Sequence, residues 1–501
     1  MRIRLRHAAA RTAVVSLCLL LCTPIAPAAG ASAVSSDRYA AIDAYIQDRM
    51  NTTRTPGLSY AVVGPDGPVH RRSWGVDGHG ERVTANTPFL WGSVAKPVTA
   101  TSVMILVQEG RLRLEDRVVE HLPDFGFGGA AHASKVTVRH LLNQTAGIPE
   151  AAALKVTDCL AADCPRPVER IGDLDGVRPL GPPGAEYAYS SANYLILSAL
   201  VESVTGRSFS EHLRQSVLAP ARMDGAIADQ ESARDRNLPP GHQLLWGVPA
   251  AIAEGVDDHG AGYGYLGGDL HDLAAFASLQ LRYGRTDKGD TVLTPEFVRL
   301  MREEGRLQPG GTGAGYGLGW RVGGLAAPLD EALWHTGGTP GYSAMLFLLP
   351  ERNIALVLQQ NLYGLLQDKA VMQIGFGAAR ILADGRTPTG GDSASTYYWS
   401  VWGATALAAL LVLSAGRSVL LLRRPAVPGL PLRCTAVAAL WCVVGALPWV
   451  VLVQVGDRMG LGQLRNWVPD GFIAVCVAAA AGAATVVLRL VLAIRAARVD
   501  S

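Results

Sequence analysis

The chain is poor in lysine: only five of the 45 basic residues among its 501 are lysines. Charge of either sign is not in excess, since the net charge is +2 and no basic cluster stands outside the two ends. A nucleic-acid partner needs such a cluster, so that class is excluded. No Gly-x-Ser-x-Gly elbow surrounds any serine and no His-Glu-x-x-His pair occurs, which removes the α/β-hydrolase and zinc-peptidase readings. Cysteine is sparse. Cys18 and Cys22 fall in an amino-terminal apolar run, and Cys434, Cys442 and Cys476 fall in or beside carboxy-terminal ones. Cys159 and Cys164 remain, too few for a zinc site and close enough to close a small surface loop as a disulfide. No metal and no cofactor is implied.

Among so few lysines, one stands in a chemical pattern. Phe89-Leu-Trp-Gly-Ser93-Val-Ala-Lys96-Pro97 opens an apolar-periodic segment that runs to Gly110. On a helix a residue and its i+3 neighbour share a face, so the Ser93 hydroxyl and the Lys96 amine point into the same space. That pairs a nucleophile with a candidate base. With 25 serines in the chain, roughly a quarter of a Ser-x-x-Lys match is expected by chance. An isolated match is more often an exposed lysine in the first turn of a helix, so its weight comes from the other motifs around it.

Composition divides the chain by solvent. Residues 1–33 combine a basic start, an apolar run and small residues, with cleavage expected after Ala28 or Ala33, the layout of a secretory signal peptide. Lipidation at Cys22 is disfavoured by Leu21 before it. Three apolar stretches, 399–416, 435–456 and 471–488, are each long enough for a membrane helix. Arg417, Arg423, Arg424 and Arg433 lie between the first two, and Arg489, Arg495 and Arg498 follow the third, against Arg458 and Arg465 in the other loop. Arginine excess puts the first loop and the carboxy terminus in the cytoplasm and a large domain, about 34–390, outside, with 391–501 as its membrane part.

Within that domain the order is strand, helices, strand. Gly57–Val63, a Gly64-Pro-Asp-Gly67 turn and a run toward Gly75 read as a hairpin. Residues 93–285 read as helices broken by Gly/Pro-rich loops, including 172–184 and 238–247. Strand signals return at 316–320, 342–349 and 354–359. The two sets of strands are expected to share one antiparallel sheet. The glycine-rich stretch 310–319 lacks the context of a nucleotide loop.

Four motifs in order carry a resemblance: Ser93-Val-Ala-Lys96; Thr137-Val-Arg-His-Leu-Leu-Asn-Gln-Thr-Ala-Gly-Ile-Pro149; Pro183-Gly-Ala-Glu-Tyr-Ala-Tyr189-Ser-Ser191-Ala-Asn-Tyr194; and His335-Thr-Gly-Gly-Thr-Pro-Gly-Tyr342. Together they resemble the class C β-lactamase and D,D-peptidase superfamily over most of residues 36–385. The resemblance implies an α+β fold, an antiparallel sheet flanked by helices with a helical subdomain, here followed by three membrane helices. It also implies that Ser93 is the nucleophile and that Lys96 and Tyr189 transfer protons, in an order left open. The backbone N–H groups of Ser93 and Gly338 would receive the oxyanion.

Two departures bear on substrate. His335-Thr-Gly stands where many members have Lys-Thr-Gly, so a partly charged histidine is expected to hold a substrate carboxylate less firmly than lysine does. Tyr189-Ser-Ser191 replaces the usual Tyr-x-Asn. With the export signal and three membrane helices, this is similar to the membrane-anchored prodrug-activating peptidases of the colibactin-maturation type, which remove an N-acyl-D-asparagine cap. In that group a serine and a loop histidine read the asparagine side chain, matched here by Ser191 and, as candidate, His259. The implied partner is an acylated peptide substrate, and both monomer and homodimer are compatible. The alternatives are a D,D-carboxypeptidase or β-lactamase, an esterase, and a β-lactam sensor; the short tail after the third apolar stretch argues against the sensor.

Overall fold

The computed structural model describes residues 36–161, 163–304, 314–388, 390, 394–425 and 431–499. The expected export segment, 1–33, lies outside them. Helix α1 (Ser36–Thr53) leads into strands β1 (Gly57–Gly64) and β2 (Gly67–Gly75). Helices α2 (Ala95–Gln108) and α3 (Ala192–Thr205) follow, then a hairpin of β3 (Gly241–Leu245) and β4 (Val248–Ala253), then helix α4 (Leu270–Leu281). Strands β5 (Ala314–Tyr316), β6 (Arg321–Gly323), β7 (Leu333–Thr339), β8 (Tyr342–Leu349) and β9 (Ile354–Gln360) precede helix α5 (Asp368–Asp384).

Seven strands form one antiparallel sheet in the order β2-β1-β9-β8-β7-β6-β5. The first and last strands of the chain's domain lie side by side, second and third in that order, with Leu58 opposite Gln360 and Val63 opposite Ala355. Every residue of β1 and β8 is buried, so both faces of the sheet are covered and these strands read as continuous apolar runs. On one face, α5 sets Phe376 against Phe347, with ring centroids 5.3 Å apart. The other face joins the helical core, and α4 is tied to it where Ser278 donates to the Gly64 carbonyl at 2.9 Å.

The sheet expected from the strand signals is present. Two local readings change. Residues 238–247, read as loop, begin the β3–β4 hairpin; Pro239, Pro240 and Gly247 mask a short ribbon that pairs with itself and lies outside the main sheet. The stretch 316–320 is no single strand: Gly319 takes φ +89 and turns the chain between β5 and β6.

Beyond the sheet run α6 (Ser395–Leu422), α7 (Pro431–Met459), the short α8 (Leu461–Trp467) and α9 (Pro469–Val499). Three of these are long and apolar enough to cross a membrane. Gly445 on α7 and Gly482 on α9 bring the two backbones together, since a Cβ on Gly482 would stand 2.3 Å from the Gly445 carbonyl.

The hairpin tip joins these helices to the rest of the chain. Trp246 donates from its indole to Thr405 at 2.8 Å and from its backbone to Asp470 at 3.0 Å. The Tyr397 hydroxyl donates to Asp470 at 2.6 Å and accepts from the Gly247 N–H at 2.8 Å. Asp470 is therefore the acceptor on which α6, α9 and the hairpin converge. Asp470→Ala leaves buried donors unpaired, at about 1–3 kcal/mol. The expected result is a thermal midpoint of the detergent-solubilised chain lower by about 2 °C or more, with faster proteolysis at Trp246; an unchanged midpoint and unchanged cleavage would show that the hairpin is not docked.

Candidate active site

Ser93 sits in the tight turn Gly92–Val94 that feeds α2. The turn is pinned by Trp91, fully buried, whose indole donates to Gln359 of β9 at 2.9 Å and whose backbone N–H donates to Leu266 at 2.9 Å. Gly92 takes φ +55, and a Cβ there would meet the Gly338 nitrogen at 2.2 Å. Glycine is required at this point by both conformation and space. A Cβ on Gly337 would likewise stand 2.4 Å from the Ser93 nitrogen, so β7 lies directly against the nucleophile turn.

This contact orients the backbone donors. Thr339 and Tyr342 close the β7–β8 hairpin around Pro340-Gly341. The closing pair of a two-residue hairpin exchanges hydrogen bonds, and bonded and non-bonded pairs alternate along the ladder. The Gly338 N–H, one residue back, therefore points away from β8. β6 pairs with β7 only at Leu333 and Trp334, so it leaves that edge open toward Ser93.

Lys96 is completely buried. Its Nζ lies 2.8 Å from Ser93 Oγ, 3.1 Å from Ser191 Oγ and 2.8 Å from the Tyr263 carbonyl oxygen. A neutral amine has two hydrogens and one lone pair. The carbonyl can only accept and Ser191 can take the second hydrogen, which leaves the lone pair for the Ser93 hydroxyl. Burial, then the Arg321 guanidinium, hold the Lys96 amine well below the ordinary lysine range, with Asp158 opposing them.

Tyr189 lies before α3 on a loop held by Gln144, whose side-chain oxygen accepts from the Ser190 N–H at 2.9 Å and from Asn193 at 2.6 Å. Gln144 belongs to the Asn-Gln-Thr-Ala-Gly motif, which thus serves as scaffold for the tyrosine loop. The Tyr189 ring centroid is 5.0 Å from Lys96 Nζ. Burial pushes its phenol up to about 12, although Arg321 and the Ser93 and Ser191 hydroxyls pull the other way. It is a protonated phenol at neutral pH.

His335 stands beside Tyr189, with ring centroids 6.3 Å apart. It is fully buried on the inward face of β7, with Nδ1 2.7 Å from the Thr336 carbonyl and Nε2 3.0 Å from the Tyr316 hydroxyl. The carbonyl fixes the proton on Nδ1, and Nε2 accepts from the tyrosine. Burial, then Arg321 and Lys96, hold the imidazole well below its usual range, so it is neutral and does not reach the cleft. Its neighbours Thr336, Gly337, Gly338 and Thr339 line the cleft. Arg321 of β6, absent from the sequence expectations, is the cation of the site: its guanidinium stands 5.0 Å from the Tyr189 ring and 5.2 Å from the Trp334 ring.

Ser93, Tyr189, Ser191, Arg321 and Gly338 line a cleft of about 1160 Å³. His259 does not line it. The neighbouring Asp257 organises that loop: it accepts from Arg170 at 3.0 and 2.8 Å, from the Cys159 N–H at 3.0 Å and from the His259 N–H at 3.1 Å. The Cys159–Cys164 disulfide is formed as expected. The cleft wall also includes Ser395, Thr396 and Trp467, from α6 and α8, a contribution with no motif to announce it. Among the described residues no cluster of metal-ligating side chains occurs.

Comparison with known proteins places this site. Residues 42–373 match the profile described as "Beta-lactamase". The chain belongs to the Beta-lactamase family. Penicillin-binding protein 4 of Amycolatopsis lactamdurans is 33% identical over 314 residues, covering 60% of this chain and 77% of that protein. Protein flp of Staphylococcus aureus is 25% identical over 331 residues, covering 66% of this chain and 64% of its own length. A D-stereospecific amidohydrolase from Streptomyces sp. shares the fold, with a TM-score of 0.51 at 23% identity over 64% of this chain and 94% of its own. This Beta-lactamase family member therefore carries a serine-hydrolase framework on an antiparallel sheet with helices. Gly337→Ala tests the contact between β7 and the nucleophile turn: we expect acylation of Ser93 by a fluorescent penicillin to fall roughly 10²-fold or more, with wild-type rates refuting the close approach.

Proposed function

We propose that the chain is a membrane-anchored serine peptidase whose catalytic domain lies outside the cytoplasmic membrane and which removes an N-acyl-D-asparagine cap from an exported peptide prodrug. The observation that carries the catalytic part is the buried Lys96 amine, 2.8 Å from Ser93 Oγ and supplied with acceptors for its two remaining hydrogens. Lys96 takes the Ser93 proton as Oγ bonds to the substrate carbonyl carbon. The backbone N–H groups of Ser93 and Gly338 receive the oxyanion. Tyr189 gives its proton to the leaving nitrogen as the C–N bond breaks, and regains one through Lys96, leaving an acyl ester on Ser93. Water then attacks that ester, giving a proton to the same pair; the bond from the acyl carbon to Ser93 Oγ breaks, the pair returns the proton to Oγ, and the acylated amino acid is released.

The substrate part rests on chemistry and space. Ser191 presents a hydroxyl at the cleft while holding Lys96, and a pocket built on hydroxyl partners disfavours apolar side chains. The cleft is walled in part by the start of α6 and the end of α8, so an acylated substrate would meet it beside the apolar helices. Nearby Trp399 is 81% exposed, as an aromatic residue at a membrane interface would be. A second reading, a D,D-carboxypeptidase, is favoured by one observation: Arg321 offers a fixed cation to a terminal carboxylate.

Mass spectrometry of N-myristoyl-D-asparaginyl amide and its L isomer, incubated with the detergent-purified chain and with Ser93→Ala, separates these readings. Release of N-myristoyl-D-asparagine from the D isomer by wild type alone is expected. No cleavage by an enzyme that still reacts with penicillin, together with release of D-alanine from a D-alanyl-D-alanine peptide, would replace the cap-peptidase reading with the carboxypeptidase one.

The pH dependence follows from the same groups. Neutral Lys96 is required, so acylation rises with pH through its lowered pKa, while loss of the Tyr189 proton is held off to about 12. Arg321→Gln removes a charge that lowers the Lys96 pKa, so the rising limb is expected to move to higher pH. A limb that stays in place would show that Lys96 is not the titrating base.

A further inference from the structure

Three carboxyl groups line the cleft, Glu150, Asp158 and Asp368, and the mechanism uses none of them. Asp158 lines the cleft and sits in the left-handed region, φ +59, immediately before the Cys159–Cys164 disulfide. Its backbone N–H donates to the Tyr263 hydroxyl at 2.7 Å, and the carbonyl of that same tyrosine holds Lys96. Its carboxylate is gripped from the membrane part of the chain: the Trp467 indole donates to Oδ2 at 3.1 Å. Gln463, one helical turn earlier, donates to the preceding Thr157 carbonyl at 3.0 Å. Trp467 is itself fixed, since its ring stands 6.0 Å and edge-on from Tyr363, whose ring packs against Gly338.

The short helix between the second and third apolar helices therefore does more than connect them. Its two polar side chains hold consecutive residues of one cleft loop, and its terminal tryptophan forms cleft wall. Resting on the serine-peptidase reading above, we propose that Asp158 is a specificity-determining residue that admits hydrogen-bond-donating substrate side chains, such as a primary carboxamide or an ammonium, and rejects carboxylates, and that Trp467 is its positioning residue.

The surrounding charges support this assignment. Arg170 is bound to Asp257 and Lys96 to Ser93, so neither makes an ion pair with Asp158, although the Arg170 charge favours its ionised form. Burial pushes the Asp158 carboxyl up to about 6, and the Trp467 N–H pulls it down, which leaves it ionised at neutral pH. Asp158 is half-buried and lines the cleft, where an amide N–H₂ or an ammonium can donate to it. An anionic side chain there meets a like charge in a site of low dielectric. Arg321, from β6, supplies a cation on another wall, and Glu150, Asp368 and Lys369 also line the cleft, so the Asp158→Asn comparison is what isolates the part of Asp158.

The test uses the full-length chain and a panel of N-acyl-D-aminoacyl amides bearing asparagine, aspartate, alanine and 2,4-diaminobutyrate side chains. Wild type should prefer asparagine and diaminobutyrate over aspartate by roughly tenfold or more in kcat/KM. Asp158→Asn should shrink that neutral-to-anionic ratio by a similar factor, with the alanine substrate as the common reference for any change in overall rate. Trp467→Phe keeps the ring beside Tyr363 but removes the N–H, and should shift the ratio in the same direction. A purely structural role for either residue would lower all substrates together and leave the ratio unchanged, which would overturn the proposal. Binding of the same panel to the Ser93→Ala chain reports the ratio without turnover. If wild type cleaves no asparagine substrate while this binding ratio still responds to Asp158→Asn, the cap-peptidase reading fails and the charge-selecting role of Asp158 stands; if the binding ratio is indifferent to Asp158→Asn, the role of Asp158 fails whatever is cleaved.

Discussion

The site depends on one buried amine. A lysine inside a protein is costly as a cation unless its hydrogens and charge are met. Here two acceptors, Ser191 Oγ and the Tyr263 carbonyl, account for the hydrogens of the neutral form, and the Arg321 guanidinium disfavours the charged form. The same neighbours make the remaining lone pair useful, because the only group left to meet it is the Ser93 hydroxyl. Much of the fold can be understood as the means of holding that geometry: Trp91 anchors the nucleophile turn to the sheet, glycines at 92 and 337 allow β7 to touch it, and Gln144 fixes the loop that carries Tyr189.

How much of this was legible in the sequence follows from where information resides in a chain. The central strands were readable because both faces are buried, which writes apolar runs into 344–349 and 354–358. The Ser93–Lys96 pair was readable because helical spacing converts a sequence interval into a shared face. The β3–β4 hairpin was not, since it packs against other elements and its proline and glycine neighbours imitate a loop. The burial of His335 was not legible, because the groups that cover it, Tyr316 and Arg321, come from other strands. Arg321 and Asp158 carry no local signal, because their meaning arises only when β6 and the loop after Val156 are brought to the same cleft.

The membrane helices give a further example of long-range organisation. Length and hydropathy identify them, yet the polar groups that join them to the domain are single residues: Thr405, Asp470, Gln463 and Trp467. Each hydrogen bond contributes modestly alone, but together they set the position of α8 relative to the cleft. An anchor tethered by a linker would impose no such position. The arrangement ties the cleft to the three long apolar helices through defined donors and acceptors.

The scarcity of lysine makes the central claim directly measurable. With lysine labelled at the ε carbon, the full-length chain should give five titrating signals by NMR, one per lysine. The account predicts that one of them, missing in Lys96→Arg, titrates well below the other four and moves upward in Arg321→Gln. Five signals that all titrate in the ordinary range near about 10.4 would contradict it, because a charged Lys96 has no lone pair with which to take the Ser93 proton.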